Sequence, residues 1–143
     1  MITLDFVEQI NAPVEKVFAY VTDFRKFAEW QEGVIESMQT PDGPTAMGTK
    51  FTAVRTLLGQ RLEAGGEVTE FEPNKKCTFK TTSGPIKFNM MQTFEPAGGG
   101  TKMSIHIEAE VGGFFKLAEG AVSGNIKKQF EDQAVKLKQL LEA

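Results

Sequence analysis

The order of elements constrains this chain more than any motif in it. One strand-like stretch, Ile2 to Ile10, breaks at Asn11-Ala12-Pro13 and passes into a short helical pattern ending near Phe27 and Trp30. Only strands follow, until one long amphipathic helix closes the sequence. A strand meander must bury its apolar face, and a single helix cannot fill the hollow of a curled sheet along its whole length. The layout therefore predicts an α+β architecture with an apolar space between sheet and helix.

Local signals support each element. Ile2, Leu4 and Phe6 alternate with polar neighbours, as a half-buried strand requires. Pro13 suits the start of a helix, Glu15 lies near its positive end, and Val14, Val17, Phe18 and Val21 form one stripe. Thr22-Asp23 caps a second segment carrying Phe24, Phe27 and Trp30, and Gly33 ends it. Turn residues then recur at Pro41-Asp42-Gly43-Pro44, Leu58-Gly59, Glu72-Pro73-Asn74, Ser83-Gly84 and Ala97-Gly98-Gly99-Gly100.

Those turns set a register. A two-residue turn at Ser83-Gly84 places Phe79 opposite Phe88 and Cys77 opposite Met90, and the next loop places Met90 opposite Ile107 and Phe88 opposite Ala109. Extended backwards, Val68 lies beside Phe79, Gly66 beside Thr81 and Phe51 beside Gly66. One inner face results, including Phe51, Leu62, Ala64, Val68, Cys77, Phe79, Phe88, Met90, Ile105, Ile107 and Ala109. The last helix, expected over Phe114 to Leu141, turns Phe115, Val122, Ile126, Phe130, Gln133, Leu137 and Leu141 toward that face.

A length of 143 residues predicts one domain spanning 1–143. The net charge of −3 offers no general attraction to phosphate backbones or anionic lipid, so nucleic acid is not an expected partner. One cysteine excludes an internal disulfide and fits a reducing compartment. The first residues lack a secretory pattern, and no stretch approaches the roughly 20 apolar residues that span a bilayer. A cytoplasmic protein without integral membrane association is expected. Twelve Phe and six Met against one Trp and one Tyr supply bulk without polar handles, which suits a core or a greasy pocket.

The segments from Ile10 to Asp23, Phe27-Ala28-Glu29-Trp30, Gly66 to Pro73 and the strand start Gly100-Thr101-Lys102 resemble the polyketide cyclase/dehydrase-like branch of the START and birch-pollen-allergen-like (SRPBCC) superfamily. The resemblance spans essentially the whole chain. It implies the helix-grip fold, an antiparallel sheet of about seven strands around the last helix, with two small helices after the first strand. It does not imply one chemistry, because the superfamily includes lipid carriers, cyclases, receptors and chaperone activators.

Catalytic motifs are sparse. His106, the one histidine, shares the outward face with Ser104 and Glu108. Cys77 on the inner face has no base beside it and reads as a small core hydrophobe. Spacing supports neither a metal site nor a cofactor. The run Gly43 to Lys50 mimics a phosphate-binding loop with Lys and Thr exchanged, but a strand follows where a helix is needed. Glu67 is assigned to the outer face with Thr69 and Phe71.

Arg55, Glu70 and Gln92 fall on the inner set. Arg55 and Glu70 are ~25 Å apart along the strands and do not neutralise each other. Arg55 either snorkels out at the strand end or meets an anionic or carbonyl group of a ligand. Glu70 and Gln92 are either exposed at the sheet edge or polar anchors in the pocket. Phe27 and Trp30 form an aromatic floor that either packs the core or touches a ligand, and Phe51, Phe79, Phe88, Met90 and Phe115 are the better pocket candidates.

The resulting expectation is a protein that binds a hydrophobic small molecule (lipid, polyketide-like or isoprenoid) in this cavity. Two alternatives stand beside it. One is a cyclase or dehydratase, which requires Arg55, Glu70 or Gln92 to point inward. The other is an interaction module of the chaperone-activator kind, using Phe71, Leu58 and Met91 as an outer patch.

Overall fold

The computed structural model describes residues 2–31, 33–41, 43–57, 59–84, 86–111 and 119–142. Strand β1 (Ile2–Ile10) leads into helix α1 (Val14–Val21), a 3-10 turn (Phe24–Lys26) and the short α2 (Phe27–Trp30). Strands β2 (Val34–Thr40), β3 (Lys50–Leu57), β4 (Gln60–Glu72), β5 (Lys76–Ser83), β6 (Ile86–Ala97) and β7 (Gly100–Val111) follow, and then α3 (Glu119–Leu141). The strands form one antiparallel sheet in the order β1-β7-β6-β5-β4-β3-β2, with β1 returning to pair with β7. This curved sheet wraps the long C-terminal helix, with the short helices following the first strand, which is the helix-grip fold. The start of α3 expected at Phe114, and with it Phe115, lies outside the described residues.

Asp23 caps the 3-10 turn by accepting from Arg25 N, which is why the second helical segment begins there. Along α3, Val122, Gln133, Leu137 and Leu141 are buried, with Ile126 and Phe130 packed against the core. The C-terminal end of α3 is anchored. Lys16 Nζ donates to Leu141 O at 2.9 Å, where a cation also meets the negative helix end, and Lys138 pairs with Glu8 at 2.9 Å.

Most of the expected register is present. Val68 pairs with Phe79, Gly66 with Thr81, Phe51 with Gly66, Met90 with Ile107 and Phe88 with Ala109. Two expectations are corrected. First, Phe79 pairs with Met90 and Cys77 with Gln92, because the β5–β6 turn is centred one residue later than Ser83-Gly84. The slip is even, so every side chain keeps its face. Second, a bulge between Val68 and Glu70 inverts the end of β4. Phe71 turns inward, its ring 5.3 Å from Phe18. Glu70 turns outward and pairs with Lys76 at 3.1 Å.

Aromatic rings fill the end of the sheet near α1 and α2. Phe24, 1% exposed, stacks on Phe51 at 4.3 Å and meets Phe27 and Phe79 edge-on at 5.0 and 5.3 Å. Phe18 similarly meets Phe94 at 5.1 Å. Glycine allows the Phe51 ring its place: a Cβ on Gly66 would collide with Phe51 Cζ and lie 2.9 Å from Lys80 O. Gly66→Ala is therefore expected to destabilise the fold by roughly 1–3 kcal/mol through overpacking, read as a lower urea midpoint. An unchanged midpoint would contradict this packing.

On the outer face, His106 joins β7 to β1. Its Nδ1 lies 2.6 Å from Asp5 Oδ1 and its Nε2 3.3 Å from Glu108 Oε1. Hydrogen bonds to Asp5 and then Glu108 raise its pKa above the ordinary 6.5. A raised folded-state pKa gives a stabilisation fully present below 6.5 and lost as pH climbs through the higher value. His106→Gln should remove that component. The wild-type thermal midpoint should fall more than the variant's between about pH 6 and about pH 8, and parallel pH profiles would exclude the clasp.

Candidate functional site

Beyond the ring cluster the concave side of the sheet is not filled. A cavity of about 100 Å³ lies between sheet, α2 and α3. Phe51 and Arg55 of β3, Leu62 and Ala64 of β4, and Phe79 of β5 line it. So do Ile86, Phe88, Met90 and Gln92 of β6, and Ile107 and Ala109 of β7. Phe27, Trp30 and Gln31 close one side, and Ile126, Gln129, Phe130 and Gln133 of α3 form the roof. Alternation explains the selection: residues two apart on β6 share the inner face, and residues three or four apart on α3 share one side. A smaller void of about 10 Å³ adjoins it, with Trp30, Phe130 and Gln133 in its wall.

Phe27, Trp30, Phe51, Arg55, Phe79, Phe88 and Met90 all face this one cavity. Gln92 does too, at 3% exposure, whereas Glu70 does not. Gln31, Gln129 and Gln133 were not singled out as polar lining residues. Only Gln133 carried a signal, as a polar residue inside the apolar stripe of the last helix.

The walls are apolar, and Arg55 is the one formally charged side chain among the described lining residues. Its Nη2 donates to Gln31 Oε1 at 3.3 Å, and no described carboxylate pairs with it. Burial holds the guanidinium below its usual pKa range, although an arginine there stays charged. A charge with one neutral partner inside an apolar wall is poised for an anionic or strongly dipolar group.

The remaining chemistry is inert or remote. Cys77 is 0% exposed and its thiol is pushed up to about 12 by burial, so it is not a thiolate nucleophile near neutral pH. His106 is on the opposite face of the sheet. Among the described residues no group of three His, Cys, Asp or Glu side chains converges on a metal position. The Gly43–Lys50 run leads into strand β3, so it lacks the helix N-terminus that phosphate binding requires. No described helix is long and apolar enough to cross a membrane.

The fold recurs among solved structures. A START superfamily protein from Mycobacterium smegmatis is 16% identical with a TM-score of 0.79, covering 98% of this chain and 97% of its own. The Zhui aromatase/cyclase from a Streptomyces species is 8% identical with a TM-score of 0.79, covering 98% and 93%. A protein from Thermus thermophilus is 17% identical with a TM-score of 0.76, covering 94% and 96%. At these identities the likeness concerns the fold alone. No curated protein matches the sequence. The family model described as polyketide cyclase / dehydrase and lipid transport matches residues 1–142. The chain belongs to that family, within the SRPBCC superfamily.

Proposed function

We propose that this protein acts as one domain, residues 1–143, that binds a hydrophobic small molecule carrying an acidic or carbonyl group in the cavity between sheet and α3. One observation carries the reading: an apolar enclosure in which the guanidinium of Arg55 meets, among the described residues, one amide oxygen and no carboxylate. Phe27, Trp30, Phe51, Phe79, Phe88 and Met90 supply the apolar contact. Each 100 Å² of apolar surface they cover contributes about 2.5 kcal/mol before ordering costs are subtracted. Phe115 belongs to the same proposed set from its sequence position. The buried thiol of Cys77 suits a reducing compartment such as the cytoplasm.

A cyclase or dehydratase is the second reading, and the inward placement of Arg55 and Gln92 favours it. Proton transfer would then fall to water or the guest, because neither side chain exchanges a proton readily at neutral pH. The chaperone-activator reading loses Phe71 from its outer patch, since that ring packs on Phe18, and Leu58 lies outside the described residues.

Organic extraction of the purified protein followed by mass spectrometry should return a reproducible apolar species. Arg55→Ala should weaken binding of 2-naphthoate several-fold while leaving naphthalene affinity unchanged. Equal affinity for 2-naphthoate in a folded variant would refute the role of Arg55. Turnover of an added polyketide mimic would favour the enzyme.

A further inference from the structure

The polar groups of the cavity fall at two levels. At the first, Arg55 reaches Gln31, and the neighbouring Thr56 N–H donates to Gly33 O. Gln129 lies over Gly33, so α3 passes this level at that residue. Gln133 is one turn further along α3, ~6 Å at the helical rise. There it shares the cavity with Gln92 and Trp30. The register supports this convergence: Gln92 pairs with Ile105, which lines the small adjoining void together with Trp30 and Gln133.

All three side chains are more than nine-tenths buried, at 3% exposure for Gln92, 4% for Trp30 and 6% for Gln133. Each has a polar atom without a hydrogen-bond partner among the described residues: Gln92 Oε1, Gln133 Oε1 and Trp30 Nε1. Gln92 Nε2 makes one weak contact, donating to Met90 Sδ at 3.9 Å. Two acceptors and a donor left open in an apolar wall oppose folding, and leucine would pack these glutamine positions at no such cost.

We propose that Gln92, Gln133 and Trp30 form a second recognition point that reads a hydroxyl on the guest, deeper than the acid held at Arg55. This rests on the ligand-binding reading above. A hydroxyl donates and accepts at once, so its oxygen takes the Trp30 indole N–H while its proton goes to a glutamine carbonyl oxygen. The cavity walls carry five phenylalanine rings among aliphatic side chains, and ring faces and edges suit a flat aromatic body. The guest class is therefore a hydroxylated aromatic acid, its hydroxyl set one or two helical turns from its carboxylate.

The test compares 2-naphthoate with 6-hydroxy-2-naphthoate by calorimetric titration. The wild-type protein should bind the hydroxylated acid about tenfold more tightly, or about 1.4 kcal/mol. Gln92→Leu and Gln133→Leu should each erase that preference, bringing the ratio of the two affinities to about one. Trp30→Phe, which removes the indole N–H together with part of the ring, should reduce it. Equal wild-type affinity for the two acids would overturn the inference while leaving the ligand-binding reading intact. Failure of both acids to bind would overturn both. A ligand-free readout adds an independent check: the thermal midpoint of Gln92→Leu or Gln133→Leu should match or exceed wild type. A drop of several degrees in both variants would show that the glutamines serve the fold and would also overturn the proposal.

Discussion

A seven-stranded sheet curled around one helix has more inner surface than that helix can cover, and the rest of the molecule is arranged around the mismatch. At one end the deficit is met by rings delivered from outside the sheet. Phe18, Phe24 and Phe27 descend from the segments between β1 and β2 and lock onto Phe94, Phe51 and Phe79. The arrangement needs close approaches that only glycine permits. Gly66 yields space to the Phe51 ring, and a side chain on Gly100 would strike Ile10 O where the chain leaves β1. Both glycines fall in the segments that carry the family resemblance, so those segments encode the wrap and not a chemistry.

What the rings leave open becomes the cavity, and its polarity works against stability. Arg55 and three unsatisfied polar atoms sit where Leu, Met or Phe would pack at no desolvation cost. Elsewhere Ser37 Oγ, Thr78 Oγ1 and Asn125 Oδ1 also lack a partner among the described residues, but several buried polar groups are satisfied. Thr22 Oγ1 donates to Phe18 O at 2.7 Å, Thr101 Oγ1 to Ala12 O at 2.8 Å, and Gln39 both accepts from Phe24 N and donates to Gly43 O. What sets Trp30, Gln92 and Gln133 apart is that their open atoms belong to residues lining one cavity.

Strand faces were legible in the sequence because side-chain direction depends only on parity. The turn between β5 and β6 lies one residue from its expected centre, yet Phe79, Phe88 and Met90 still face inward, since the slip of two preserves the face. The same reasoning failed at Phe71 and Glu70. An odd insertion inverts every side chain beyond it, and the run Val68-Thr69-Glu70 has no Gly or Pro to announce a bulge. The polar side of the cavity was read least well. Arg55 was visible as a charge on an apolar face, but its choice between solvent and pocket depends on Gln31, which comes from a separate element. Gln133 stood in the apolar stripe of the helix, where one polar residue among seven reads as tolerance until its surroundings are known.

The free cavity is small beside the roughly 300–1,000 Å³ typical of ligand pockets, so a guest must move part of the wall. The ring cluster is the costly part to move, because Phe24, Phe51 and Phe79 are each held by the others. The far end of α3 is equally fixed, tied through Lys16, Lys138 and the Asn11 N–H donated to Glu142 Oε2. Its first turns differ. Among the described residues nothing lies within 4 Å of a Cβ added at Gly120 or Gly124, and each weakens the helix by about 1 kcal/mol relative to Ala. Ile126 and Phe130, only partly buried, hang from that weaker segment over the cavity. The first half of α3 is still tied to the core by Val122 at 0% exposure and to the sheet by the Phe6–Phe130 stack at 4.7 Å, so in the proposed reading the part of the wall with least to lose is the turn carrying Gly120 and Gly124. In the proposed reading, recognition falls to Arg55 and Gln92 on the sheet and to Gln133 in the second half of α3, and accommodation to the first turns of that helix.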